Sequence, residues 1–106
     1  MIRQIGPSEL SGLMADAVPP VLLDVREEWE LSLASLPGVL NIPMAQIPDR
    51  LEELAGDRDI VVICHHGSRS LLVAAFLQQN GFDAVINLTG GIDAWSREVD
   101  SSVPIY

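Results

Sequence analysis

Four consecutive β-branched residues, Ile60-Val61-Val62-Ile63, put no polar side chain on either face of an extended chain. Side chains of a strand alternate between two faces, so a run that is apolar at every position has to be covered on both. The middle of a parallel sheet layered between helices meets that condition. The flanking pattern agrees. Ile2 to Ile5 predicts a short strand, and Gly6-Pro7-Ser8-Glu9 opens a helix in which Leu10, Leu13, Met14 and Ala17 recur at helical spacing until Pro19-Pro20 ends it. Val21 to Val25 reads as a second doubly buried strand and Val39 to Pro43 as a weaker one. Between them Glu27-Glu28-Trp29-Glu30 makes a short helical turn. Ile47 to Leu54 has helical spacing with a stop at Gly56-Asp57, and Ser70 to Asn80 predicts a helix with Leu72, Ala75, Phe76 and Gln79 on one stripe. Ala84 to Leu88 is the last strand, Gly90-Gly91 a loop, and Ile92, Ala94-Trp95 and Val99 mark a closing helix. Strands alternating with helices imply an α/β fold, in which ligands bind outside the carboxyl ends of the strands. Asp24, Cys64 and Gly90 fall at or just beyond such ends.

The 106 residues fit one domain spanning 1–106. Six arginines stand against 15 acidic residues, a formal charge of −9, which excludes nucleic acid as a partner class because phosphate recognition rests on Lys and Arg. There is no lysine, so neither Schiff-base chemistry nor a P-loop lysine is available. The single cysteine excludes an intrachain disulfide framework and Cys-x-x-Cys metal sites. No apolar run approaches the roughly 18–20 residues of a membrane span, and no basic segment followed by an apolar one opens the chain. The expectation is a cytoplasmic protein with a reduced thiol and no membrane partner.

The chemistry is concentrated in Cys64-His65-His66-Gly67-Ser68-Arg69-Ser70, between the central strand and its helix. The cysteine leaves the strand at the edge of the site, where a thiol can be reached. The loop is tight and runs into a helix, so several backbone amides can converge as an anion cradle at the positive end of the helix dipole. Gly67 allows the backbone to curl, and Arg69 adds a permanent charge. Each feature favours the thiolate, the nucleophilic form. Four residues separate cysteine from arginine. Cysteine-dependent phosphatases resemble this layout but use five, a wider cradle that suits phosphate; the shorter loop suits something smaller, such as one sulfane sulfur carried on the thiol.

Cys64-x-x-Gly67-x-Arg69-Ser70 resembles the active-site loop of rhodanese-like sulfurtransferases. Leu23-Asp24-Val25-Arg26 resembles that family's "DVR" strand end, Pro37 to Pro43 its "PGAxNIP" segment, and Asn87 to Trp95 its closing "L-x-GG-I-x-x-W" element. The resemblances run in the family's order over residues 2–98. They imply a three-layer rhodanese-like fold, a central and mostly parallel five-stranded sheet with helices on both faces. They also imply a ping-pong mechanism without metal or organic cofactor. Cys64 takes the outer sulfur of a small donor such as thiosulfate or a persulfide, and the amides of residues 65–70 hold that sulfur. A thiol, cyanide or a sulfur-accepting protein then removes it. The family commonly has Gly-His before its Ile-Pro-Gly segment; Ala34-Ser35-Leu36 stands here instead, a change that touches local structure more than chemistry.

Other readings compete at individual residues. His65 and His66 fit proton shuttles or donor-binding groups as well as exposed bystanders, and consecutive residues converge poorly on one metal ion. Asp24 and Arg26 support the loop through hydrogen bonds or an ion pair in preference to lining its mouth. Trp29 and Trp95 read as core or rim packing, the glutamates of 27–30 as a solvated face, and Ser70 as a helix-start residue. At the level of function, the alternatives to a sulfurtransferase are a non-catalytic or carrier module, a cysteine phosphatase or arsenate reductase on the same fold, and a redox sensor needing an outside thiol.

Overall fold

The computed structural model describes residues 2–54 and 56–106. In chain order the elements are β1 (Arg3–Ile5), α1 (Pro7–Met14), β2 (Val21–Asp24), α2 (Glu28–Leu33), β3 (Leu40–Asn41), two 3-10 turns (Met44–Asp49 and Leu51–Glu53), β4 (Ile60–Ile63), α3 (Ser68–Gln79), β5 (Val85–Leu88) and α4 (Gly91–Glu98). The strands form one sheet in the order β1-β5-β4-β2-β3, with every neighbouring pair parallel. All four residues of β4 are buried at its centre, as their side chains demand.

Alternation along β4 divides the interior in two. Val61 and Ile63 join Leu22, Ile86 and Leu88 against Leu10, Leu36, Ile92 and Trp95, on the side of α1 and α4. Ile60, Val62 and Cys64 point the other way, with Leu23 and Val85, against Val73, Ala74 and Leu77 of α3 and Ile47 and Leu54 of the 3-10 segment. These are the outer layers of a three-layer α/β fold. Each fully buried Leu, Ile or Val side chain contributes about 1.5–3 kcal/mol relative to exposure.

The strand order fixes where a site forms. From β2 the chain steps outward to β3, returns to place β4 on the other side of β2, and then steps away to β5. The sheet's direction of winding reverses between β2 and β4, and such a reversal leaves a crevice at the strands' carboxyl ends. Asp24 and Ile63 pair in register there, and the Val25 amide donates to the Ile63 carbonyl at 3.0 Å.

Several boundaries differ from the sequence expectation. α3 begins at Ser68 and turns Ser70, Val73, Ala74 and Leu77 inward, whereas Leu72, expected on the stripe with Ala75, Phe76 and Gln79, is 63% exposed. The cause is at the helix start: Ser70 faces Cys64, which sets the inward stripe at 70, 73, 74 and 77. The 47–54 stretch winds as 3-10 turns in place of an α-helix; Pro48 inside it has no amide to donate. α1 stops at Met14, before Ala17. Gly91, expected in a loop, is the first residue of α4. Among the described residues, no helix is long and apolar enough to cross a membrane.

Candidate active site

Cys64 directly follows β4 and keeps its alternation, so its side chain points with Ile60 and Val62 toward α3. It is fully buried. The expectation of a thiol reachable at the strand edge is therefore corrected: the strand's own geometry carries the sulfur inward, and the loop folds over it. The Gly67 amide donates to Cys64 Sγ at 3.0 Å, and the thiol donates to Ser70 Oγ at 3.2 Å. Gly67 curls the backbone with φ of 104°, a left-handed conformation that L side chains rarely adopt. The amides of Ser68, Arg69 and Ser70 begin α3 and have no acceptor within their own helix. The positive end of the helix dipole therefore faces the sulfur.

A second helix holds the loop from outside. The amides of Ile92 and Asp93, in the first turn of α4, donate to the carbonyls of Cys64 (2.9 Å) and His65 (3.1 Å). Gly91 makes that approach feasible, because a Cβ there would collide with the Cys64 carbonyl oxygen and lie 2.5 Å from that of His65. Gly91 is thus a packing requirement at the site.

Ser70 is not a simple helix-start residue, as the sequence reading had it. Its hydroxyl accepts from the thiol and donates to Asn87 Oδ1 at 2.5 Å. Asn87 in turn donates to Gln4 Oε1 (3.1 Å) and to the Gly67 carbonyl (3.4 Å). A polar chain therefore runs from the sulfur across β5 to β1. Asn87 sits on the strand face that carries Val85, which is why it meets α3 and not α4.

Arg69 does not point freely at the sulfur. Its guanidinium grips the Glu30 carboxylate through two bonds, Nη1 to Oε1 at 2.7 Å and Nη2 to Oε2 at 2.9 Å. Glu30 is 4% exposed, which overturns its reading as part of a solvated face. It also accepts from the Glu27 amide (3.1 Å) and the Tyr106 hydroxyl (2.7 Å), so each carboxylate oxygen has two donors. The Arg69 hydrogen bonds, against the opposing effect of burial, hold the Glu30 carboxyl down at about 2. Glu30, in turn, raises Arg69.

Asp24 and Arg26 are both wholly buried. Arg26 Nε and Nη2 reach Asp24 at 2.7–3.1 Å, Nη2 also reaches the Ala34 carbonyl (2.8 Å), and Nη1 reaches Tyr106 Oη (2.9 Å). Burial works against the Arg26 charge, and the bonds to Asp24 and Tyr106 outweigh it. Asn41 Nδ2 ties the Asp24 and Arg26 carbonyls together at 2.9 Å each. Tyr106 stands between the two arginine systems. Its hydroxyl accepts from Arg26 and donates to Glu30, and its ring stacks on His65 at 3.9 Å and 4°. Nothing in the sequence singled out Tyr106, which belongs to no recognisable motif.

His65 is half-buried between Tyr106 and the tilted ring of exposed His66. Burial, then the neighbouring His66, pushes its basicity down, so it is a neutral ring near pH 7. One ligand-capable atom each from His65, His66 and Asp93 lie within 4.8 Å of one another, and Asp93 is ion-paired with Arg97 at 2.9 Å. Of the tryptophans, Trp95 is buried and Trp29 is 63% exposed, so only the first is core.

The family model described as "Rhodanese-like domain" matches residues 6–98. The chain is 40% identical over 97 residues to a protein named "Sulfurtransferase" from Allochromatium vinosum, covering 92% of this chain and 91% of that one. It is 42% identical over 112 residues to the chloroplastic "Rhodanese-like/PpiC domain-containing protein 12" of Arabidopsis thaliana, spanning 99% of this chain but 38% of the relative. Among solved structures, a rhodanese-like domain protein from Staphylococcus aureus superimposes with a TM-score of 0.86 at 30% identity, covering 99% of each chain.

Proposed function

The chain belongs to the rhodanese-like domain family, and from that membership we propose that it transfers sulfane sulfur through a persulfide on Cys64. The observation that carries the reading is the cradle itself: Sγ meets the Gly67 amide at 3.0 Å at the start of α3, where three further amides lack helical acceptors. In the first half-reaction the Cys64 thiolate attacks the outer sulfur of a donor. The new Sγ–S bond forms as the donor's own S–S bond breaks, and the donor leaves as sulfite or a thiolate. In the second, the acceptor attacks the terminal sulfur, takes it, and returns Cys64 as thiolate. No electrons enter or leave the cycle, so no redox cofactor takes part.

Sγ is covered as the loop stands. Turnover therefore includes an outward movement of residues 66–67, beyond the clamped His65 carbonyl, which frees the Gly67 amide from Sγ to hold the terminal sulfur instead. Asp24 and Arg26 anchor the base of the crevice through this movement, and the Ile92 and Asp93 amides keep the first part of the loop in place.

Intact mass tests the proposal. The protein is incubated with thiosulfate or an organic persulfide and its mass compared with that of Cys64→Ser. A gain of one sulfur atom, removed by cyanide or a thiol and absent in the variant, is the expected result. No gain from either donor, with the fold intact, overturns the reading in favour of a binding module; hydrolysis of an aryl phosphate without sulfur uptake overturns it in favour of a phosphatase.

A further inference from the structure

Every arginine of this chain is already engaged. Arg3 pairs with Glu9, Arg26 with Asp24, Arg50 with Glu53, Arg69 with Glu30 and Arg97 with Asp93. Arg58, the sixth, donates to the Pro19 carbonyl, away from the loop. There is no lysine. Among the described residues the candidate site thus has one arginine at its mouth, and that cation is neutralised through two hydrogen bonds by a buried carboxylate. Glu30 stays charged at any pH near neutrality, because Arg69 and Tyr106 both donate to it. His65 adds no charge there.

A small dianion such as thiosulfate depends on local positive charge to enter a site on a protein of net charge −9. Here Arg69 is offset by Glu30, which leaves the loop amides and the helix dipole, with exposed His66 beside them, to supply it. A singly charged donor needs less. The space beside Arg69 is also the wrong kind for a bare inorganic ion. An open cleft of about 500 Å³ runs along Arg69 and Glu27, and the rest of its lining is Val25, Met44, Ala45 and Pro48. Such walls favour a carbon-bearing donor, whose apolar part they remove from water.

We propose that Glu30 sets donor specificity: by neutralising Arg69 beside an apolar cleft, it directs the site to singly charged organic sulfane-sulfur donors and against the thiosulfate dianion. The inference rests on the sulfur-transfer reading above. With an organic persulfide R–S–SH whose R group carries the single negative charge, the Cys64 thiolate bonds the outer sulfur, the S–S bond breaks and R–S⁻ leaves; the donor's proton stays on the transferred sulfur. Glu30 is a positioning residue in this scheme, acting through Arg69.

Thiosulfate and methanethiosulfonate are the probes. Both offer a terminal sulfur on an oxidised sulfur; the second carries one charge fewer and a methyl group. Rates of sulfur loading onto Cys64 are followed by intact mass. In the wild type, methanethiosulfonate is expected to load at least tenfold faster than thiosulfate. Glu30→Gln frees the Arg69 charge, which is worth about tenfold more to a dianion than to a monoanion a few ångströms away. The thiosulfate rate should rise about tenfold more than the methanethiosulfonate rate, and Arg69→Gln added to Glu30→Gln should abolish that gain. A structural role alone would move both donors together, so equal changes overturn the proposal. So does a wild type that prefers thiosulfate, a result that needs no variant to fold. A wild type that loads sulfur from neither donor overturns the sulfur-transfer reading and this inference with it.

Discussion

Gly91 lies so close to Cys64 that the glycine's missing side chain is what lets the last helix bond the carbonyl of the candidate nucleophile. Two further constraints coincide at this glycine: its φ is 60°, and a Cβ would also press on the His65 carbonyl. Those neighbours are backbone atoms and cannot turn aside. Gly91→Ala is expected to cost about 3 kcal/mol, combining left-handed strain with overpacking. Urea denaturation measures it, and sulfur loading should fall with it. A loss below about 0.5 kcal/mol would contradict the packing argument.

Cys64 is buried, so its reaction with a bulky thiol reagent is gated by opening of the loop. Labelling of the native protein should run at least tenfold slower than labelling in urea. Gly67→Ala, which cannot hold φ at 104° without strain, should accelerate the native reaction. A native rate equal to the unfolded rate would show that the loop does not cover the sulfur.

Ser70→Ala removes the partner of a buried amide oxygen, Asn87 Oδ1, and of the thiol. An unsatisfied buried acceptor costs about 1–3 kcal/mol. The same variant should change the reactivity of Cys64, whereas Ser68→Ala, at an exposed position on the first turn, should stay within about 0.5 kcal/mol of wild type.

Acid should release the Glu30 anchor. The folded protein holds this carboxyl at about 2, against 4.5 when unperturbed. Between those values the unfolded chain binds the extra proton, so the stabilisation is complete above about pH 5 and is lost as pH falls through 2. At pH 3 roughly 2 kcal/mol of it is gone. The stability gap between wild type and Glu30→Gln should therefore be wide at pH 6 and narrow at pH 3. A gap independent of pH would mean that the carboxylate is not held by Arg69.

Tyr106→Phe keeps the stack on His65 and deletes the hydroxyl that joins Arg26 to Glu30. The expected loss is about 1–2 kcal/mol, since both charged partners lose a bond but keep others. Thermal melting of the variant beside wild type reads it.

The sheet, its parallel pairing and the position of Cys64 were legible because they depend on local pattern: a doubly apolar strand, a glycine turn, a helix start. What escaped was set by contacts far apart in sequence. Glu30 meets Arg69 39 positions away and Tyr106 76 positions away, and read alone it is one acid in the cluster Glu27-Glu28-Trp29-Glu30. The inward face of α3 was missed for a related reason. Leu72 and Phe76 are more apolar than Ser70, yet Ser70 turns inward because its partners are Cys64 and Asn87.

The order β1-β5-β4-β2-β3 has a consequence for biosynthesis. β1 leaves the ribosome first but pairs only with β5, so it must wait for residues 85–88 before it can join the sheet. The clamp on the Cys64 carbonyl comes later still, from residues 91–93. A nascent chain that has already made its thiol therefore passes through nearly 30 further residues of translation (from Cys64 to residues 91–93), more than a second at ordinary elongation rates, before that clamp can form. The outer clamp on the loop that covers the sulfur is therefore among the last contacts of the domain that synthesis makes available.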